Sequence, residues 1–186
     1  MSIARSDLSR SYCASLKARL LMDVVQSFPI ENSLYAFEIP AGNPSASSEY
    51  LHSQIFFQNR KWTEISFDEL LNQYPSGASA AITFLSDKAF RYYLPLFLSC
   101  IVNDFYKSDV LSESLIADLV PSLQAHRRKA FDIRFSSMDL DQKKCVALFL
   151  KFLAECYQDE FPCAENDFIS PAIALNRYWN EFLNEM

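Results

Sequence analysis

Apolar positions recur at helical spacing along most of this chain. They are densest in Ala80–Phe105, where Phe90, Leu94, Phe97, Leu98, Ile101, Val102 and Phe105 follow at steps of three and four. Such spacing predicts a helix with a broad apolar face. Ser86 has the chemistry of an N-cap, and Asp87 stands in the positive first turn that follows it. Pro95 falls inside the pattern. It lacks an amide hydrogen and its ring crowds the carbonyl of Arg91, so it is expected to bend the helix or divide it in two. A break of that kind needs surrounding structure to hold it, which implies a buried central hairpin or a kinked core helix.

Residues 11–28 read as a first helix, with Leu16, Leu20, Leu21, Val24, Val25 and Phe28 on one side and Pro29 ending it. Residues 29–48 form a long connection, with an extended piece expected at Leu34–Ile39. Glu49–Gln58 reads as a short helix carrying Tyr50, Leu51, Ile55 and Phe56 or Phe57. Ser66 and Glu69 have capping-box spacing before a helix that Pro75 closes. Ser112–Leu119 predicts another helix. His126–Lys129 is the only basic run and reads as a solvated loop. Phe131–Phe135 alternates as a short strand or extended link would. The clearest helix follows a cap pair at Asp139 and Gln142, with Cys145, Leu148, Phe149, Phe152, Leu153 and Cys156 on one stripe. Ser170 and Pro171 open a last helix whose buried side is Ala172, Leu175, Tyr178 or Trp179, and Phe182.

Composition narrows the class further. With 186 residues, half of them apolar and sixteen of them Phe, the chain can bury a substantial core and reads as a single helical domain over 1–186, residues 1–10 flexible. Gly42 and Gly77 are the only glycines, which weighs against phosphate loops, dinucleotide fingerprints and hairpin-rich sheets. The five cysteines are odd in number and contain no C-x-x-C pair. Cys100, Cys145 and Cys156 fall on apolar faces, so they read as reduced core residues of a cytoplasmic protein. No signal-peptide core occurs near the N-terminus. The run Leu94–Val102 is about half a membrane span, so no membrane association is expected.

The net charge of −6 is concentrated at one end. From Glu155 onward seven acids face one base, leaving residues 1–154 balanced at zero. Nucleic acid is therefore not an expected partner, since phosphate recognition needs clustered positive charge. A basic protein partner for the acidic C-terminal region is.

The run Phe84-Leu85-Ser86-Asp87-Lys88-Ala89-Phe90-Arg91-Tyr92-Tyr93-Leu94-Pro95 resembles a bacterial domain-of-unknown-function family with the motif F-L-[ST]-x-x-A-F-R-Y-Y-L-P. The likeness extends to Trp62, Arg134-Phe135-Ser136, Gln142 and Tyr178-Trp179, roughly residues 15–180. Asp87 and Leu140 stand where that pattern has Pro, and both still permit a helix start. The resemblance implies a shared fold and carries no activity with it.

Candidate chemistry is sparse. His52 and His126 are far apart and lack metal-ligand spacing, so neither a metal nor another cofactor is expected. No nucleophile elbow is present. The most suggestive set is Asp87, Arg91, Tyr92 and Tyr93, with Arg134 as a distant addition. Arg91 lies one turn after Asp87 and can pair with it; a pair bracing the bend is the structural reading, and an anion or substrate site the functional one. The expected architecture is a mainly α single-domain bundle around a Pro-kinked aromatic helix. At most one short strand pair, Tyr35–Ile39 with Asp132–Phe135, accompanies it. The expected function is a non-enzymatic protein-binding module, in its sharper form an immunity or antitoxin-type inhibitor. The alternatives are an enzyme with its site near Arg91, Tyr92 and Tyr93, or a self-associating structural protein.

Overall fold

The computed structural model describes residues 2–30, 38–43, 45–161 and 169–183, with side chains from Ser9 onward. All regular elements among the described residues are helical. The chain gathers into two compact units, one from residues 28–115 and 132–137, the other from 1–27, 116–131 and 138–186.

The first unit is built on the central apolar stretch. Ser86 Oγ accepts from the Ala89 amide at 3.2 Å and starts a helix that runs from Asp87 to Asn103 (α5 below). The helix continues through Pro95 without interruption, so the proline does not divide it and there is no central hairpin. Eleven of its seventeen residues are buried, which makes it a core helix rather than an amphipathic surface one. Phe90, Phe97 and Ile101 have no exposed surface.

Shorter elements complete this unit. Helix α2 (Ser48–Phe57) buries Ser53, Phe56 and Phe57 and leaves Leu51 and Ile55 exposed, a rotation from the expected face. Aromatic packing sets that rotation. Phe57 stacks 4.6 Å from Tyr93, Phe56 meets Tyr74 at 5.3 Å, and Ser53 Oγ lies 2.6 Å from the Tyr74 hydroxyl. Trp62 is buried in a tight turn at Trp62–Glu64. At α3 (Phe67–Gln73) Ser66 caps the Glu69 amide at 3.1 Å, but the Glu69 carboxylate goes to Arg60 at 2.7 Å, leaving the capping box half made. Helix α4 (Ala78–Phe84) starts at Gly77, whose φ of 82° suits a residue without Cβ. After α5 come α6 (Phe105–Ser108) and α7 (Val110–Leu119), joined at Asp109 with φ 39°.

The expected strand pairing is replaced. Asp132–Phe135 is helical, Tyr35–Phe37 lies outside the described residues, and the extended partner of Ile39 is Ser86, whose amide donates to its carbonyl at 2.8 Å. Among the described residues, an isolated antiparallel bridge joins Pro40 and Leu85.

In the second unit, α1 (Ser2–Ser27) packs against α9 (Leu140–Cys156). Helix α1 buries Leu16, Leu20 and Val24, whereas Val25, expected inside, is 65% exposed. The expected cap of α9 is present: Asp139 Oδ1 accepts from the Gln142 amide at 2.8 Å, and Gln142 Oε1 accepts from the Asp139 amide at 3.3 Å. Helix α8 (Ala125–Phe135) occupies the segment read as a basic loop followed by a strand or link. Phe131 and Phe135 are both buried, a helical i, i+4 pair, while Ile133 is 54% exposed and breaks the apparent alternation.

The C-terminal helix changes pitch. Ser170 caps α10 (Pro171–Ala174), a five-residue π stretch Leu175–Trp179 follows, and α11 (Asn180–Leu183) ends the described chain. The wider turn carries the buried face from Ala174 to Trp179, and exposes Ala172 where burial was expected. Trp179 Nε1 then donates to the Leu119 carbonyl at 2.7 Å.

Candidate functional site

Asp87, Arg91 and Arg134 come together in the first unit, although not in the expected pairing. Asp87 forms its ion pair with Arg134, Nε to Oδ1 at 2.8 Å, and Arg91 instead donates from Nη1 to the Arg134 carbonyl at 2.7 Å. Arg134 also lies over the Phe90 ring, 4.7 Å from its centroid. The cap residue's neighbour on α5 thus holds the last turn of α8, and Arg91 satisfies a carbonyl that a helix end leaves without an intrahelical partner. Burial lowers the Arg91 pKa from its ordinary value, partly offset by Asp87.

The two tyrosines are packed into the same helix. Tyr93 is fully buried, and its hydroxyl lies 2.6 Å from the carbonyls of both Phe57 and Arg60, donating its one proton to either. Burial and the neighbouring Tyr92 push its pKa well above the ordinary tyrosine range. Tyr92 meets Tyr93 edge to face at 4.9 Å. Tyr93 thereby holds the turn Phe57–Arg60 that follows α2, which is a positioning role.

A cleft of about 270 Å³ opens between α1 and α9 in the second unit. Arg19, Asp23, Gln26 and Ser27 line one side, with Asp141, Lys144, Cys145 and Leu148 on the other. Arg19 and Asp23 pair at 3.6 Å. Cys145 is 2% exposed, and burial together with the Asp23 carboxylate raises its pKa far beyond the ordinary thiol value. It remains a protonated thiol, a poor nucleophile. Cys100, in the other unit, is pushed up to about 12 by burial.

At the far end of the same helix pair, Cys13 and Cys156 form a disulfide. Tyr12 beside it donates to Glu155 Oε2 at 2.5 Å, and Glu155 also takes Lys151. The Glu155 hydrogen bond raises the Tyr12 pKa. This bond corrects the expectation that Cys156 is a reduced core residue. Neither cysteine carries a local motif, and the pairing of residues 143 apart exists only once α1 is laid antiparallel on α9. Cys163 lies outside the described residues.

The acidic C-terminal region is only partly described, since Glu165, Asp167 and Glu185 fall outside the described residues. Asp159, Glu160 and Glu181 are exposed, whereas Glu155 is engaged as above. By sequence, the first unit is the more acidic, with eleven Asp and Glu against six Lys and Arg, net −5, which leaves −1 for the second. Its exposed acids include Asp104, Asp109 and Glu113 around Tyr106, 71% exposed, and Val110, 49% exposed. Among the described residues, no group of three or more His, Cys, Asp and Glu side chains is placed to hold a metal ion, and His52 Nδ1 lies 2.7 Å from Ser76 Oγ. None of the described helices is long and apolar enough to cross a membrane.

A mainly helical protein built on a buried, capped central helix is the class these features define. Residues 42–183 match a family of unknown function, DUF6714, and the chain belongs to that family. Helix α1 lies outside the matched span. No curated protein and no solved structure matches the chain at a significant level.

Proposed function

We propose that this protein is a non-enzymatic protein-binding module of the bacterial cytoplasm, which receives a basic partner on the surface around the α6–α7 joint. The supporting observation is Tyr106, the most exposed aromatic side chain among the described residues, within four residues of exposed Val110 and flanked in sequence by Asp104, Asp109 and Glu113. An exposed aromatic with an apolar neighbour supplies contact area, and surrounding carboxylates accelerate encounter with a positive surface. Asp109 holds a backbone conformation with φ 39° and ψ −125°, which non-glycine residues rarely adopt. In the sharper form of this reading the module acts as an immunity-type inhibitor that covers a basic toxin.

The test is affinity capture with the full chain from its native host, beside Tyr106→Ala and the double variant Asp109→Asn/Glu113→Gln. The expected result is a stoichiometric basic protein whose capture falls at least tenfold with Tyr106→Ala and weakens with added salt. Recovery of no stoichiometric protein, or capture indifferent to both the substitutions and salt, overturns the reading. Recovery of the chain itself favours self-association instead.

A further inference from the structure

We propose that the Cys13–Cys156 disulfide is a reversible latch that holds α1 over α9, and that its reduction frees α1 to uncover the α9 face beneath. The inference rests on the cytoplasmic setting proposed above, where disulfides are characteristically transient and redox-sensing rather than permanent.

Three observations carry it. First, the bond joins a helix outside the family match to the last residue of a helix inside it. Second, the two helices run antiparallel. Cys13 meets Cys156 at one end, and Asp23 shares a cleft with Cys145 toward the other, so the bond closes one end of a long seam. Third, the fully buried apolar seam of α1 within residues 9–27 is narrow: it consists of Leu16, Leu20 and Val24, while Met22 and Val25 face solvent at 59% and 65% exposure, and Tyr12 adds a hydrogen bond to Glu155 beside the disulfide. A helix owes most of its stability to such tertiary packing, so closing one end of the seam bears directly on its docking. Both bonded cysteines are only partly buried, so a reductant can reach the bond.

Chemically the step is thiol–disulfide exchange with a cellular dithiol. One thiolate of the dithiol attacks Sγ of Cys13 or Cys156, breaking the S–S bond and forming a mixed disulfide, which the second thiol resolves. Two electrons pass from the dithiol, its own sulfurs end paired, and two protons end on Cys13 and Cys156.

Cys145 reports the state of the latch. It is nearly fully buried where α1 meets α9, whereas Cys100 is buried in α5 of the other unit. The full chain is held oxidised, or reduced with dithiothreitol and desalted anaerobically. It is then pulsed with N-ethylmaleimide, and modification is mapped by mass spectrometry, with Cys13→Ser as an unlatched control. Reduction and Cys13→Ser are each expected to accelerate Cys145 modification at least tenfold more than that of Cys100. An unchanged Cys145 rate overturns the latch, because α1 then stays docked without the bond. Equal acceleration at Cys100 also overturns it, because the bond then holds the whole fold. A second arm traps thiols in living host cells before and after disulfide stress. The Cys13–Cys156 linked peptide is expected only after stress. A peptide present at full occupancy throughout overturns reversibility together with the cytoplasmic setting. Absence of the linked peptide even in the oxidised purified chain overturns the latch alone, leaving the binding reading untouched.

Discussion

Arg134 Nε lies 2.8 Å from Asp87 Oδ1 while its guanidinium covers the Phe90 ring at 4.7 Å, so one side chain ties the last turn of α8 to the first turn of α5. The Asp87 carboxylate is 44% exposed, and solvent screening limits the ion pair alone to at most about 1 kcal/mol. Adding the cation–π contact, Arg134→Ala should cost about 1–2 kcal/mol in urea denaturation. Arg134→Lys retains charge but not the planar contact, and falls between the two. Equal stability of wild type and Arg134→Ala would show that the contact contributes nothing.

Tyr93 links stability to alkaline pH. Its folded pKa is raised above the ordinary 10.0 by burial, so the folded state favours the protonated form. That contribution is fully present below pH 10 and is lost as pH rises through the raised folded value. Absorbance at 295 nm should show a phenol that ionises only with unfolding. Tyr93→Phe removes this component of the alkaline titration and costs about 1–2 kcal/mol at neutral pH, from the hydrogen bond lost to the Phe57 and Arg60 carbonyls. A stability profile for the variant that falls as steeply above pH 10 as the wild type's would contradict the assignment.

The disulfide closes a loop of 143 residues, and loop-closure entropy sets its largest stabilisation at about 5 kcal/mol. Cys13→Ser and Cys156→Ser should each lower stability by about 2–5 kcal/mol under oxidising conditions and by nothing under reducing ones. Paired denaturation curves with and without dithiothreitol check this. A loss that persists in reductant would mean the serine damages packing.

Trp179→Phe keeps the aromatic body near Phe131, whose ring centroid is 6.0 Å away, and removes the donor to the Leu119 carbonyl. With that acceptor left buried, the expected cost is about 1–3 kcal/mol, read from thermal or urea unfolding. A neutral substitution would show that the carbonyl is satisfied elsewhere.

Legibility in the sequence followed the range of the interactions. Helices α5 and α9 could be read because cap and apolar stripe are both local, and Ser86 and Asp139 do what their chemistry predicts. The Phe131–Phe135 segment was misread because five residues satisfy a two-residue period and a helical one nearly equally, and burial of the Phe131/Phe135 pair decided between them. The α2 face was set by Tyr74 and Tyr93, which no local period announces. Of the candidate set, Arg134 was placed beside Asp87 by tertiary contact, whereas the Asp87–Arg91 pairing suggested by spacing gave way to it. The Cys13–Cys156 bond had no local signature at all.

The widened stretch Leu175–Trp179 accommodates one residue more than an ordinary turn would. Were those same five residues wound at ordinary pitch, everything downstream would swing by about 100°. The indole would leave its carbonyl and Phe182 its buried side, so the surplus residue, absorbed in one wide turn, is what aims the tail.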